Sequence, residues 1–286
     1  MEVRHQTIPK VRLPDGTLVP ALGQGTWHMG EASGRAADEV AALREGIELG
    51  LTLIDTAEMY GEGGAERVVA QAIKGQRERI FLVSKIYPHH ASATGVAKAC
   101  AASLARLETD WIDLYLLHWR GGYPLADTVA AFERLRVAGH IRYWGVSNFD
   151  SDDMTELAAL PAGAACATNQ VLYNPERRGI EYDLIPWCLA RGMPIMAYSP
   201  LGQAGQLLRS HALTSVARRH GATPPQIAIA WTMRDGATIS IPKALVPAHV
   251  QQNAAAAAAI RLTEEDLKEI DAAHPPPRRK QSLSML

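Results

Sequence analysis

Strand-like apolar runs and amphipathic stretches alternate along almost the whole chain. The runs lie around Ile54, Phe81-Leu82-Val83, Ile112 to Leu117, Tyr143 to Val146, Cys166 to Asn169, Pro194 to Ala197 and Thr238 to Ile241. Ala36 to Leu49, Thr94 to Leu107, Asp127 to Val137 and Tyr182 to Ala190 are examples of the helical stretches between them. With Ala21 to Gly25 as the first strand, eight β segments alternate with about eight α segments. A strand whose chain returns through a helix pairs in parallel with the next strand, and eight such units close into a (β/α)8 TIM barrel. The 286 residues suit one domain of this kind, whose usual size is roughly 250 residues.

Three segments fall outside the repeat. Residues 1–20 carry two short alternating runs about Pro14-Asp15-Gly16, which predicts a β-hairpin. Two helical patterns, Ser210 to His220 and Pro224 to Arg234, occupy the crossover between the seventh and eighth strands, so one helix there is extra. From His274 the tail runs into Pro275-Pro276-Pro277, which cannot begin a helix, and residues 274–286 are expected as an irregular segment at a barrel rim. Ala254 to Ala259 sits in the expected last barrel helix.

Basic and acidic residues nearly cancel, 29 against 30, which removes the electrostatic footprint of a nucleic-acid or anionic-membrane binder. A small molecule is the expected partner, and the chain is expected as a monomer or weak oligomer. The start MEVRHQTIPK has no apolar core of a signal peptide, and no run approaches a membrane span, so the reading is cytoplasmic. Three cysteines, Cys100, Cys166 and Cys188, form no paired motif and read as thiols rather than disulfides or zinc ligands. His89-His90 has no accompanying ligand set, so no metal is expected.

Chemistry is carried by Asp55, Tyr60, Lys85 and His118, which fall at or just after the ends of successive strands. That is where active sites sit in such a barrel. A free phenol keeps its proton to a pH of about 10, so Tyr60 becomes a useful acid only beside a cation that stabilises the phenolate. Lys85 can be that cation, Asp55 can hold it charged, and His118 can hydrogen-bond a carbonyl oxygen while the phenol protonates it. Such a site needs a hydride source, which predicts a reduced nicotinamide. Taken singly, a buried Asp–Lys pair is more often structural, and His118 alone would be a core histidine; the four together reverse that reading.

From about residue 7 to residue 273 the chain resembles the aldo/keto reductase superfamily. The resemblance rests on Asp55-Thr56-Ala57-Glu58-Met59-Tyr60-Gly61, Ser84-Lys85, Leu116-Leu117-His118-Trp119, Gly145-Val146-Ser147-Asn148-Phe149, Asn169-Gln170, Ala197-Tyr198-Ser199-Pro200-Leu201-Gly202 and Ile241-Pro242-Lys243. It is similar above all to short-tailed bacterial enzymes that reduce methylglyoxal and related small aldehydes. The resemblance implies Tyr60 as general acid, its pKa lowered by Lys85 and Asp55, and His118 orienting the carbonyl. It also implies that Ser147, Asn148 and Gln170 hydrogen-bond a nicotinamide carboxamide, that Tyr198 stacks on the ring, and that Ser199, Pro200, Leu201 and Gly202 surround the pyrophosphate. Trp27 and Trp119 would wall the substrate pocket.

The chain departs from the family pattern at the adenosine end. A Ser, an Arg and a Glu-Asn pair are usual after the Lys; here Ala244, His249 and Gln252-Asn253 stand there. With Lys243 kept, the expected cofactor is NADP(H), with NAD(H) at lower preference. Gly23-Gln24-Gly25 is followed by Thr26-Trp27-His28, which fails the Rossmann fingerprint, as a cofactor bound across a barrel requires. Two rival readings stand beside the reductase. One is a cofactor-binding regulatory or redox-sensing subunit with slow turnover. The other, a metal-dependent barrel hydrolase, lacks its usual strand-borne His-x-His.

Overall fold

A computed structural model describes residues 7–32 and 34–286. Its eight-stranded sheet is parallel throughout and follows chain order: β3 (Gly23–Gly25), β4 (Leu53–Asp55), β5 (Phe81–Ile86), β6 (Ile112–Leu117), β7 (Ile141–Ser147), β8 (Cys166–Leu172), β9 (Ile195–Tyr198) and β10 (Thr238–Ser240). The barrel closes where Leu22 bridges Ser240 in parallel; Ser240 N–H donates to Ala21 O at 2.8 Å and Gly25 N–H to Pro242 O at 3.0 Å. The first strand expected over 21–25 is therefore shared between the short β3 and this seam. Gly25 allows the close approach, since a Cβ there would lie 2.7 Å from Ile241 O.

The hairpin is β1 (Lys10–Arg12) paired antiparallel with β2 (Leu18–Pro20), and residues 1–6 of the expected hairpin segment lie outside the described residues. Gly16 takes φ 94° in the turn. Val11, Leu13, Val19 and Ala21 join the barrel's inner cluster of Leu53, Val83, Leu114, Leu116, Ala167, Met196, Ile239 and Ile241, so the hairpin plugs the end at which the strands begin. Tyr143, near the start of β7, ties it down by donating to Asp15 at 2.9 Å.

Around the barrel run α1 (Ala36–Glu48), α2 (Gly64–Ile73), α3 (Gly95–Leu107), α4 (Leu125–Val137), α5 (Ser151–Ala159), α6 (Leu184–Leu189), α7 (His211–Arg219), α8 (Pro224–Thr232), α9 (Pro247–Ala259) and α10 (Glu264–Ala273). The expected stretch over 182–190 forms only the six residues of α6, because Gly179–Glu181 is a separate 3-10 turn and Pro186 removes a donor. α7 and α8 share the crossover before β10, as the two helical patterns there predict. Capping boxes start α5 (Asp150 with Asp153), α8 (Thr223 with Gln226) and α10 (Thr263 with Asp266).

Residues 274–286 form no helix or strand. Arg178 Nη1 donates to His274 O, and Lys280 Nζ donates to Ser151 Oγ at 2.9 Å with Asp150 and Asp183 at 3.7 and 3.5 Å. Ser151 opens α5, four residues after Ser147 at the carboxyl end of β7, so the tail lies on the face that carries the site. Among the described residues no helix is long and apolar enough to cross a membrane.

The seam yields a direct prediction. Gly25→Ala drives a methyl into the Ile241 carbonyl, so it should destabilise the protein by ~1–3 kcal/mol. A lowered urea midpoint at unchanged m-value is the expected result.

Candidate active site

Side-chain alternation places the polar groups. Leu53, Val83, Leu114 and Leu116 point into the barrel, so Asp55, Lys85 and His118, each two residues beyond one of them, point inward as well and sit above that apolar layer. Ile54, between Leu53 and Asp55, and Leu117, between Leu116 and His118, belong to the cluster packed under the helices. Tyr60 follows β4 through a short turn whose path is set by Thr56 N–H donating to Val83 O at 2.9 Å and Glu58 N–H to Lys85 O at 3.3 Å.

Lys85 is the centre of the arrangement and is 0% exposed. Its Nζ donates to Asp55 Oδ2 at 2.8 Å, Thr56 O at 2.9 Å and the Tyr60 hydroxyl at 3.1 Å, using all three ammonium protons. Gln170 Nε2 donates to the other carboxylate oxygen, Asp55 Oδ1, at 2.7 Å. The Tyr60 and His118 rings meet edge-on at 5.8 Å between centroids. Sequence and structure thus agree in bringing all four residues together.

Their electrostatics differ from the expectation in one respect. Burial pushes the Tyr60 phenol up, and Lys85, although it pulls the other way, does not outweigh burial together with the opposing Asp55 charge, so the net shift is upward. The expected net lowering by Lys85 and Asp55 is corrected accordingly; Asp55 itself raises it. The ammonium of Lys85 is disfavoured by burial but more strongly held by Asp55 and Tyr60, and stays charged. Burial, with Lys85 nearby, holds His118 well below the ordinary imidazole range, so it is neutral. Its Nδ1 is buried without a partner. Together these groups form a protonated phenol, a cation ready to receive developing phenolate charge, and a neutral imidazole.

The residues matched to a nicotinamide stand on the neighbouring strand ends. Ser147 Oγ donates to Gln170 O at 2.9 Å, Asn148 Nδ2 to His118 O at 3.2 Å, and the Tyr198 hydroxyl to Asn148 Oδ1 at 2.9 Å. Gln170 spends its amide N–H groups on Asp55 and Met196 Sδ, which ties it to the ion pair as well. Asn148 (φ 58°) and Ser199 (φ 47°) hold left-handed conformations unusual for residues with side chains. After Tyr198, Ser199-Pro200-Leu201-Gly202 leads into further left-handed positions at Gly202, Gln203 and Ala204, in a tight turn where Gly202 N–H donates to Ser199 O at 3.0 Å and Ala204 N–H to Leu201 O at 3.2 Å.

Lys243 is exposed just beyond β10, within the fields of Glu39, Arg35 and Glu31, and His249 is exposed in the first turn of α9. Gln252 is half-buried, its backbone carbonyl accepting from Gln226 Nε2 at 3.1 Å, and Asn253 is buried. Lys243 precedes α9, His249 lies in its first turn, and Gln252 and Asn253 lie in its second. Trp119 packs on His118 with centroids 5.0 Å apart, and Trp27 follows Thr26, whose hydroxyl donates to Asp55 O at 2.9 Å. Both tryptophans are partly exposed beside the site.

Residues outside the expected site set surround the outer face of Trp119. Pro88, His89, Gly122 and Tyr123 join Trp119 around a cavity of about 340 Å³, which touches none of the four central residues and adjoins them only through Trp119. Tyr87, edge-on to Trp119 at 5.9 Å, forms its neighbour wall. The sequence marks His89 only as a possible metal ligand, and its place on this wall depends on the fold rather than on a local pattern. A second cavity of about 230 Å³ lies under the tail between Arg178 and Gln281 and contains none of the four central residues.

Comparison with known proteins fits this geometry. The aldo/keto reductase family profile matches residues 21–275. Over 272 residues the chain is 53% identical to methylglyoxal reductase YeaE of Escherichia coli (strain K12), covering 94% of this chain and 95% of that one. Glyoxal reductase of Bacillus subtilis (strain 168) is 33% identical over 262 residues, 92% of this chain and 91% of its own. Among solved structures, an aldo/keto reductase from Klebsiella pneumoniae in complex with NADP and acetate superposes with a TM-score of 0.95 at 51% identity, over 98% of this chain and 100% of that one. With a closed parallel barrel, a Tyr–Lys–Asp–His cluster at its carboxyl end and a family match across most of its length, this chain belongs to the aldo/keto reductase family of oxidoreductases.

Proposed function

We propose that this protein reduces small aldehydes and ketoaldehydes, methylglyoxal among them, to alcohols with NADPH, and that Tyr60 donates the proton. The contact of a charged, fully buried Lys85 with the Tyr60 hydroxyl at 3.1 Å carries this reading. Support comes from the E. coli methylglyoxal reductase and B. subtilis glyoxal reductase relatives and from the NADP bound in the Klebsiella structure.

The residues present fit a nicotinamide. Tyr198 offers a partly exposed ring fixed through its hydroxyl to Asn148, and the Ser199-Pro200-Leu201-Gly202 loop that follows it is assigned to the pyrophosphate. When bound, the reduced nicotinamide supplies hydride to the carbonyl carbon. Tyr60 supplies the proton to the carbonyl oxygen. As it does so, negative charge grows on the phenol oxygen and meets the Lys85 ammonium, whose position Asp55 and Gln170 fix. His118, neutral and beside Tyr60, orients the carbonyl by hydrogen bonding, and Trp27 and Trp119 exclude water. Ser147, Asn148 and Gln170 are assigned to the carboxamide end. Lys243 is assigned to the 2′-phosphate, with His249 in place of the usual Arg and with Gln252 and Asn253 nearby.

Tyr60→Phe should lower carbonyl reduction by ~10²- to 10⁴-fold while NADPH still binds, as loss of a general acid does. Lys85→Met should lose rate as well. Steady-state assays of NADPH consumption with methylglyoxal check both, and near-parent turnover in Tyr60→Phe would refute the assignment.

Because His118 is held well below the ordinary imidazole range, it takes up no proton as pH falls through about 6.5. The reduction rate should show no His118-dependent break there. A fall in rate below pH 6.5 that disappears in His118→Asn would contradict a neutral imidazole.

Cofactor choice tests the other end. Lys243→Met should lower the preference for NADPH over NADH by ~1.5–3 kcal/mol, and His249→Arg should raise it by a similar amount, the range for hydrogen bonds to a charged group. The ratio of kcat/KM for the two cofactors is the measurement. A ratio unmoved by both substitutions would place 2′-phosphate recognition elsewhere.

A further inference from the structure

A second ionic group lies behind the Tyr60–Lys85 pair, outside the barrel wall. Ser84 precedes Lys85 on β5, so it faces away from the barrel interior, and its hydroxyl donates to Glu66 Oε1 at 2.7 Å. Glu66 is 0% exposed on α2, the helix that begins directly after the Tyr60 turn. Its other oxygen accepts from Arg106 Nε of α3 at 2.5 Å. Arg106 Nη2 donates to Ser103 Oγ at 3.1 Å and stands 4.0 Å from Glu58 Oε2. Glu58, in turn, accepts from the backbone N–H of Tyr87 at 2.7 Å and lies near His90 Nδ1 at 3.0 Å.

These contacts bracket Tyr60. Glu58 lies two residues before it and Glu66 six residues after it, and both carboxylates are held against the β5 segment that carries Lys85. Between them the chain makes a turn of consecutive left-handed residues, Gly61 (φ 55°), Glu62 (φ 53°) and Gly63 (φ 81°). The Arg106 stem fills the space beside that turn: a Cβ on Gly63 would fall 2.4 Å from Arg106 Cδ. The turn has short 3-10-type bonds of its own, Tyr60 N–H to Ala57 O at 3.1 Å and Glu62 N–H to Met59 O at 3.3 Å, which set its local form. From the α3 side the turn is braced by the Arg106 guanidinium, which stands between the buried carboxylates of Glu66 and Glu58.

We propose that Glu66, Arg106 and Glu58 are positioning residues for proton transfer, holding the Tyr60 hydroxyl at hydrogen-bond distance from Lys85 by clamping the two segments that bear them. This rests on Tyr60 as proton donor. A buried ion pair that served folding alone would stabilise the protein without governing that distance, and the two roles separate experimentally.

Glu66→Leu keeps the volume and removes the clamp. Its effect on the Tyr60 phenol has opposite signs under the two roles. Deleting a negative charge, by itself, makes a nearby phenol easier to ionise. Letting the hydroxyl drift from Lys85 makes it harder to ionise. The other titratable groups that face the phenol, Asp55, His118 and Tyr198, are unchanged by the substitution.

The experiment is a titration of cofactor-free protein labelled with ¹³Cζ-tyrosine, the Tyr60 resonance being the one absent from Tyr60→Phe. It is combined with single-turnover NADPH oxidation by methylglyoxal. In Glu66→Leu the Tyr60 midpoint should move up by at least about half a pH unit, and the single-turnover rate should fall about tenfold, at an NADPH affinity within about twofold of the parent. Glu66→Gln, which can still accept from Arg106 and donate to Ser84, should restore most of the rate. Should Glu66→Leu fail to fold, Ser84→Ala, which changes no charge, should shift the midpoint upward by a smaller amount. A midpoint that falls or stays put in the folded variant, or a rate loss matched by lost NADPH binding, would overturn the proposal. If Tyr60→Phe retained parent activity, the proton-donor reading would fall and this inference with it. An inactive Tyr60→Phe beside an unshifted midpoint would overturn the clamp alone.

Discussion

Everything in the site depends on one ammonium kept inside the barrel. An isolated buried Lys would shed its proton, since burial disfavours the charged form. Lys85 keeps it because Asp55, the Thr56 carbonyl and the Tyr60 hydroxyl take all three N–H groups. Asp55 is in turn satisfied on both oxygens, by Lys85 and by Gln170 from the far side of the barrel. Removing one member of such a pair strands the other in an apolar surround at a cost of about 3–5 kcal/mol. The barrel must therefore be assembled correctly around β4, β5 and β8 before the charge is tolerable, which couples folding of these strands to formation of the site.

The upward shift of Tyr60 is consistent with an acid. A donor must hold its proton until the carbonyl oxygen demands it, and burial ensures that it does. Lys85 acts later, when charge develops on the phenol oxygen. The same burial makes His118 neutral, so the site presents one cation and two neutral hydrogen-bonding groups to a carbonyl. Such a field favours the growing oxyanion over the uncharged substrate, which is the difference catalysis requires.

The fold and the four central residues could be read from the sequence because both follow short-range rules. Apolar runs with Asp55, Lys85 and His118 at or just after their ends specify strands, and strand ends in a parallel barrel converge on one face. The pKa balance at Tyr60 could not be read, because it compares burial with two charges that arrive from different strands. Gln170 was assigned to a cofactor from its motif alone; its bond to Asp55 spans 115 residues and has no local signal. Arg106 and Glu66 were invisible for the same reason, being joined only when α2 and α3 pack side by side. The closing seam at Gly25 and Pro242 likewise exists only after the last strand meets the first.

A double-mutant cycle on Tyr60→Phe and Lys85→Met tests the central claim most directly, with the single-turnover rate of methylglyoxal reduction at saturating NADPH as the readout. If Lys85 works through the phenol, its loss costs nothing further once the phenol's proton is gone, and the double variant should reduce methylglyoxal as fast as Tyr60→Phe alone. Rate losses that simply multiply would contradict the account, for they would mean that Lys85 and Tyr60 act on the reaction independently.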